Sequence, residues 1–288
     1  MTQRVGIAGT GRMGTAFARR LIETGSRVLV WNRTPARLAP ALDAGAQAAE
    51  LAELARCDAI LLVLTDAAAS RRVIEDLARA GLDGALVLDL STHSPAEADA
   101  LSVQATAAGA EFVHCPVGGT VGPALKGQLL GLAGGSAAAV ERARPLLDRL
   151  CRRVEHVGKA SDAARMKLAI NLPLVLYWQT LGEALGLLRA GGVSDDLAIS
   201  LIADSSAGPA VLKTRGQIVL DTLARGDQTG TFDVEGLMKD LRLALDLGTS
   251  EAVDMPLAKA AVGQYRAAID AGLGRFDGAT ITRRAARR

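Results

Sequence analysis

A glycine-paced turn near the start constrains this chain more than any other feature. Residues 5–34 read V-G-I-A-G-T-G-R-M-G-T-A-F-A-R-R-L-I-E-T-G-S-R-V-L-V-W-N-R-T. The apolar run Val5 to Ala8 has the character of a buried parallel strand. Gly9, Gly11 and Gly14 follow in the spacing G-x-G-x-x-G. Met13 to Glu23 then carries apolar residues at helical spacing, Gly25 marks a stop, and Arg27 to Trp31 is a second apolar strand. In the frame strand, turn, helix, strand, this spacing predicts a pyrophosphate cradle: one glycine for the turn, one for close approach of the phosphates, and one for close packing of helix on strand. The helix N-terminus adds free N–H groups and a positive dipole end. Thr10, Arg12 and Met13 complete the candidate cofactor loop.

The tip of the second strand bears on which dinucleotide is bound. A ribose 2′-hydroxyl is usually met there by Asp or Glu, and a 2′-phosphate by Arg. Here the tip is Asn32-Arg33-Thr34, with Arg37 one turn later. The absent acid and the placement of Arg33 predict NADP(H), since a guanidinium can pair with a phosphate and stack on adenine.

Strand and helix patterns keep alternating to about Gly158. Ala59 to Leu64, Ala85 to Leu90, Phe112-Val113, Leu129 to Ala133 and Val154 to Val157 read as strands. Pro35 to Ala44, Ala67 to Ala80 and a helix starting at the capping box Ser94-Pro95-Ala96-Glu97 lie among them. Parallel strands with helical crossovers predict an α/β, Rossmann-type doubly wound sheet over residues 1–158. After Gly158 strand signals vanish. Helical patterns from Ser161 to Ala190, Asp195 to Ala203, Pro209 to Ala224, Val234 to Leu247 and Pro256 to Ala271 predict an all-α domain over residues 159–288. Pro173 falls inside the first of these helices and should remove the bond to the Ala169 carbonyl and kink the helix there. Gly182 and Gly186 would admit a close neighbour. Arg283, Arg284, Arg287 and Arg288 read as a frayed basic tail.

Composition narrows the function class. A net charge of +2 gives no reason to expect nucleic acid or an anionic membrane as partner. The apolar stretch Leu168 to Leu188 is interrupted by Asn171, Pro173, Gln179 and Glu183, which fits a buried helix and not a membrane span. Cys57, Cys115 and Cys151 show no paired spacing, as expected of reduced thiols in the cytoplasm. His93, His114 and His156 form no ligand pattern, so no metal is expected. No secretory signal precedes the first strand.

Reducing a carbonyl needs a proton donor, because hydride delivery leaves charge on oxygen. Lys167, in R-M-K-L-A-I-N, is the best candidate. Asn171 follows four residues later, on the same helical face. On spacing alone, a surface lysine on an amphipathic helix accounts for Lys167 equally well.

Several motifs, in order along nearly the whole chain, resemble the β-hydroxyacid dehydrogenase family, relatives of 3-hydroxyisobutyrate and 6-phosphogluconate dehydrogenases. They are G-T-G-R-M-G (Gly9–Gly14), D-L-S-T-H-S-P (Asp89–Pro95), P-V-G-G-T-V-G-P-A-L-K-G (Pro116–Gly127), K-L-A-I-N (Lys167–Asn171) and F-D-V-E-G-L-M-K-D (Phe232–Asp240). The resemblance implies Lys167 as the acid or base and Asn171 as a substrate anchor. It places Ser91 by the substrate, Thr92 by the nicotinamide, and Leu64 and Thr65 by the cofactor ribose. Lys239 would contact the cofactor, Phe232 and Asp240 would line the cleft, and the long helix would support a homodimer.

Two departures stand out. The family's D-A-P-V-S-G-G is here His114-Cys115-Pro116-Val117-Gly118-Gly119-Thr120, so the serine hydroxyl that holds a substrate carboxylate is missing at Gly118. Backbone amides of Gly118 and Gly119, or Thr120, would have to replace it. Ile170 stands where the family has asparagine, making the pocket less polar. His114 and Cys115, without evident partners, read as packing residues. The implied activity is NADPH-dependent reduction of a small carbonyl compound, such as a semialdehyde, glyoxylate or 3-oxo acid, or the reverse oxidation. The competing expectations are an imine reductase, which has a similar V-W-N-R-T stretch, and a non-catalytic binding module.

Overall fold

Strands that are buried on both faces need a helix layer on each side, and the first part of the chain supplies them in turn. The computed structural model describes residues 3–286, with Ala190 described by its backbone alone. The chain divides into two compact units, Met1–Lys167 and Leu168–Arg288.

The first unit opens with β1 (Arg4–Ala8), α1 (Arg12–Glu23) and β2 (Arg27–Trp31). Then come α2 (Ala39–Leu42), β3 (Gln47–Ala48) and α3 (Leu51–Leu54), followed by β4 (Ala59–Leu62), α4 (Ala67–Ala80), β5 (Leu86–Asp89), α5 (Pro95–Ala107) and β6 (Glu111–His114). The unit is completed by β7 (Val117–Gly118), α6 (Val121–Leu125), β8 (Leu129–Gly135), α7 (Ala137–Leu150), β9 (Cys151–Gly158) and the start of α8 (Ala160–Leu188). The strands order as β3-β2-β1-β4-β5-β6-β8-β7, with β9 on β8. Ile7, Leu61 and Leu88 face one apolar layer, and Ala8, Ile60 and Val87 face the other.

The sheet departs from the all-parallel expectation at one edge. β8 runs antiparallel to both β6 and β7. Much of the link from β6 to β8 is taken up by β7, leaving only the five-residue α6, which is short for a crossover. The segment 35–44 is also not one helix. It forms a 3₁₀ turn, Pro35–Arg37, and then α2, each with a proline in its first turn. The short elements β3, α3, β7 and α6 have too few residues to show a period.

The second unit is helical. It carries most of α8, which continues through Pro173, then α9 (Asp195–Asp204), α10 (Ala210–Arg225), α11 (Val234–Ser250), α12 (Pro256–Asp270) and α13 (Ala279–Ala286). Trp178, Leu181, Val219, Leu237 and Tyr265 form its core. The Tyr265 hydroxyl donates to the Val175 carbonyl at 2.8 Å. A side chain at Gly182 would run into α13 at Thr282 and Ala285, which is the close packing expected of that position. The frayed-tail expectation fails for Arg283 and Arg284. Both lie in α13, and Arg283 pairs with the Asp227 carboxylate, which ties the helix down. Arg287 and Arg288 lie outside the described residues.

Candidate active site

The glycine loop has the geometry that a pyrophosphate needs. Gly9 sits at φ +104°, and a side chain there would strike the Val63 carbonyl. A Cβ at Gly14 would meet the Gly9 carbonyl, so helix and turn touch backbone to backbone. At Gly11, by contrast, a Cβ would meet open space, which leaves room for a ligand. Gly11 is the N-cap of α1 and offers no side chain to the first-turn N–H groups, so those donors are available to an anion. These features fit a dinucleotide. Arg12 is exposed and Met13 half-buried at the mouth of the loop.

The tip of β2 is braced against this loop. The Thr10 N–H donates to Asn32 Oδ1 at 3.1 Å, and Asn32 Nδ2 donates to the Thr34 carbonyl at 2.9 Å. Thr10 Oγ1 donates to the Arg37 carbonyl at 2.8 Å. Asn32 thus has a holding task that its sequence position did not reveal. The side chains of Arg33 and Arg37 are exposed.

Next along the edge of the sheet are the ends of β4 and β5. The Leu64 N–H donates to Ser91 Oγ at 3.0 Å, which staples the two loops together. Leu64 is half-buried, Thr65 exposed, Ser91 buried and Thr92 half-buried. The Ser94–Glu97 capping box forms as its sequence predicts, and fixes the start of α5 just beyond them.

Lys167 is not a surface lysine. It is only 8% exposed, and its Nζ donates to the Val117 carbonyl at 2.9 Å. The second turn of α8 therefore brings the ammonium onto Val117, next in the chain to Gly118 and Gly119. Gly119 sits at φ +121°, where any side chain is strained, and a Cβ there would also crowd Leu129 Cδ2 at 2.7 Å. Gly118 carries no such constraint. Its Cβ would sit 3.4 Å from Leu130 Cβ, an ordinary contact, so the backbone does not demand glycine there. Thr120 is half-exposed at the N-cap of α6, and its hydroxyl makes no capping bond.

In the second unit, Asn171 Nδ2 donates to Asp240 Oδ2 at 2.6 Å, and both side chains are buried. Lys239 Nζ lies 3.9 Å from Asp240 Oδ1. Phe232 and Lys239 are half-buried, and Asp233 caps α11 between them. Ile170 is 37% exposed.

Two family models cover the chain. Residues 4–158 match the NAD binding domain of 6-phosphogluconate dehydrogenase. Residues 161–285 match the NAD-binding domain of NADP-dependent 3-hydroxyisobutyrate dehydrogenase. The chain belongs to the 3-hydroxyisobutyrate dehydrogenase-like family. It is 31% identical to glyoxylate/succinic semialdehyde reductase 1 of Arabidopsis thaliana, over 95% of each chain. It is likewise 31% identical to 3-sulfolactaldehyde reductase of Escherichia coli, over 96% of this chain and 94% of the relative. A solved 3-hydroxyisobutyrate dehydrogenase of Salmonella typhimurium superposes with a TM-score of 0.87 at 28% identity, covering 97% of this chain and 99% of that one. The chain is accordingly an oxidoreductase of the CH–OH class built to hold a nicotinamide dinucleotide.

Within this family member, the sequence reading missed the support beneath the substrate loop. Asp89 opens the D-L-S-T motif yet was assigned no role. It is fully buried; its Oδ1 accepts the Ser91 N–H at 2.8 Å and its Oδ2 lies 3.0 Å from His93 Nε2. Burial acts to raise the Asp89 carboxyl, but the His93 charge and hydrogen bond, aided by His114 and the Ser91 N–H, hold it well below the usual range. His114 was read as a packing residue and does pack: its ring stacks on His93, 5.4 Å between centroids. The motif's first aspartate was the available signal; the histidine pair joins the loop after β5 to the end of β6 and has no local one. Cys115 is fully buried, with its thiol pushed up by burial and so held as a neutral packing group.

Proposed function

We propose that the chain reduces a small carbonyl compound with NADPH, Lys167 giving the proton, residues 1–158 holding the cofactor and residues 159–288 completing the substrate site. The observation that carries this reading is the buried Lys167 ammonium, anchored at 2.9 Å on the Val117 carbonyl beside Gly118-Gly119. NADPH, when bound, supplies a hydride to the carbonyl carbon. Lys167 stabilises the negative charge that develops on the carbonyl oxygen and transfers a proton to it. Asn171, fixed by Asp240, orients the substrate. Ser91 and the amides of Gly118 and Gly119, with Thr120, take up a carboxylate or other polar tail. Thr92 borders the nicotinamide, Leu64 and Thr65 the cofactor ribose, Lys239 contacts the cofactor, and Phe232 lines the cleft. Arg33 and Arg37 supply exposed guanidinium groups where a 2′-phosphate would lie.

The relatives named for glyoxylate and succinic semialdehyde make these the first substrates to try. A turnover screen with NADPH and NADH against glyoxylate, succinic semialdehyde, 3-oxo acids and cyclic imines tests the reading. Turnover of an aldehyde or oxo acid, with NADPH preferred and the preference reduced in Arg33→Ala, is expected. Turnover of cyclic imines alone would turn the reading to imine reduction, and no turnover would leave a binding module. Three buried free thiols suit the reducing cytoplasm. Exposed Leu187 on α8, with Leu197 and Leu201 on α9, supports a homodimer through the second unit, which light scattering checks.

A further inference from the structure

The Asp89–His93–His114 cluster sits directly under the loop that carries Ser91 and Thr92, and the mechanism above does not use it. Asp89 is the junction. One oxygen holds the Ser91 N–H at 2.8 Å, and the other lies 3.0 Å from His93 Nε2. An ionised carboxylate only accepts, so Nε2 carries the proton between them. Ser70 Oγ, on α4, lies 3.5 Å from the same nitrogen. The third contact is the ring stack of His93 on His114, which is the residue paired with Asp89 in the β5–β6 register. All three side chains are 1% exposed or less. His93 Nδ1 and both ring nitrogens of His114 have no hydrogen-bond partner among the described residues.

Two features make this more than filler. A buried carboxylate without its donor would lose the hydrogen bond that keeps it ionised and oriented, and the Ser91 N–H would lose a fixed acceptor. Ser91 also accepts from the Leu64 N–H at 3.0 Å, so a shift at Asp89 would pass to the β4 loop as well. The His114 ring, stacked on His93 but with no hydrogen bond to either nitrogen among the described residues, adds the second feature. It is apolar-like only while neutral, and burial pushes it down to about 4, Asp89 and Asp99 opposing the shift and His93 adding to it. A neutral ring can stack on His93, whereas two protonated rings at 5.4 Å would repel.

We propose that His93 is a positioning residue of the reaction: braced on the His114 ring, it fixes Asp89 and through it the Ser91–Thr92 loop. This rests on the placement of Ser91 and Thr92 at the substrate and nicotinamide. His93 touches neither and acts only through Asp89.

The test compares His93→Phe, which keeps a stacking ring and loses the donor, with His93→Gln, which keeps an N–H donor. Succinic semialdehyde serves as substrate, and amide hydrogen exchange at Ser91 is read alongside. In His93→Phe, kcat/KM is expected to fall at least tenfold, the NADPH Kd to stay within twofold, and Ser91 exchange to quicken. In His93→Gln, both kinetics and Ser91 protection are expected to recover to within about threefold of wild type. Wild-type kcat/KM and wild-type Ser91 exchange in the Phe variant would overturn the proposal, as would failure of the Gln variant to recover either. If the wild type turns over no carbonyl substrate, the functional reading fails, while Ser91 exchange still decides the brace. Should the Phe variant not fold, ring-nitrogen NMR of the wild type decides. The expected result is a His93 ring carrying a slowly exchanging proton at Nε2, the atom that faces Asp89. A His93 ring with no proton at Nε2 would overturn the brace.

Discussion

Lys167 shows how a residue that sequence leaves ambiguous becomes decided by its surroundings. Its i,i+4 partner Asn171 would suit a surface helix as well as a cleft. Burial and the bond to the Val117 carbonyl remove the surface option, and that carbonyl is fifty residues away in sequence. Proton transfer by a positioned side chain contributes about 10²–10⁴ in rate. Lys167→Ala is therefore expected to lower kcat at least about a hundredfold, with NADPH Kd nearly unchanged by fluorescence titration. Lys167→Arg should rescue poorly, because a guanidinium holds its proton too tightly near neutral pH and is planar. Turnover near wild type in the Ala variant would return Lys167 to a structural role and make Asp240 the next candidate donor. Gly118 was legible as a departure, but only the geometry shows that a Cβ there would meet no more than an ordinary contact.

Among the elements, those with a full period and a stop signal were legible. α4 runs Ala67–Ala80, as its pattern and the following Gly81 predict, and the Ser94 capping box starts α5 where expected. The reversal at β8 was not legible, because an apolar run has the same appearance in parallel and antiparallel pairing. β3, β7 and α6 are shorter than the window in which periodicity can be seen. The turn from β1 to α1 offers the sharpest test at this scale. A Cβ at Gly14 would meet the Gly9 carbonyl, so Gly14→Ala must move α1 away from the turn. We expect at least a tenfold weaker NADPH Kd and a lower Tm. Gly11→Ala, where a Cβ meets nothing in the protein, should weaken NADPH binding without lowering Tm. Equal effects of the two on Tm would contradict this division.

At the scale of the whole molecule, the histidine pair predicts how stability responds to acid. The folded His114 pKa is lowered to about 4 from an ordinary 6.5. The unfolded chain therefore binds this proton first, and stability present above about pH 6.5 is lost as pH falls towards about 4. That gap corresponds to roughly 3 kcal/mol at most. Asp89 acts below this window, because its carboxyl ionises well under the ordinary carboxylate range. Urea melts from pH 7 to 4 should show the loss, and His114→Phe should flatten it; an unchanged slope in that variant would assign the loss elsewhere. None of this could be foreseen from three scattered histidines, whereas the dinucleotide turn and the ordered motifs could. The activity we propose for this family member moves hydride from NADPH to a carbonyl carbon. The direct measurement uses NADPH carrying deuterium at both C4 positions of the nicotinamide, with succinic semialdehyde or glyoxylate as acceptor. The expected result is an alcohol carrying one carbon-bound deuterium for each NADPH consumed. NADPH consumption without deuterated alcohol would contradict it.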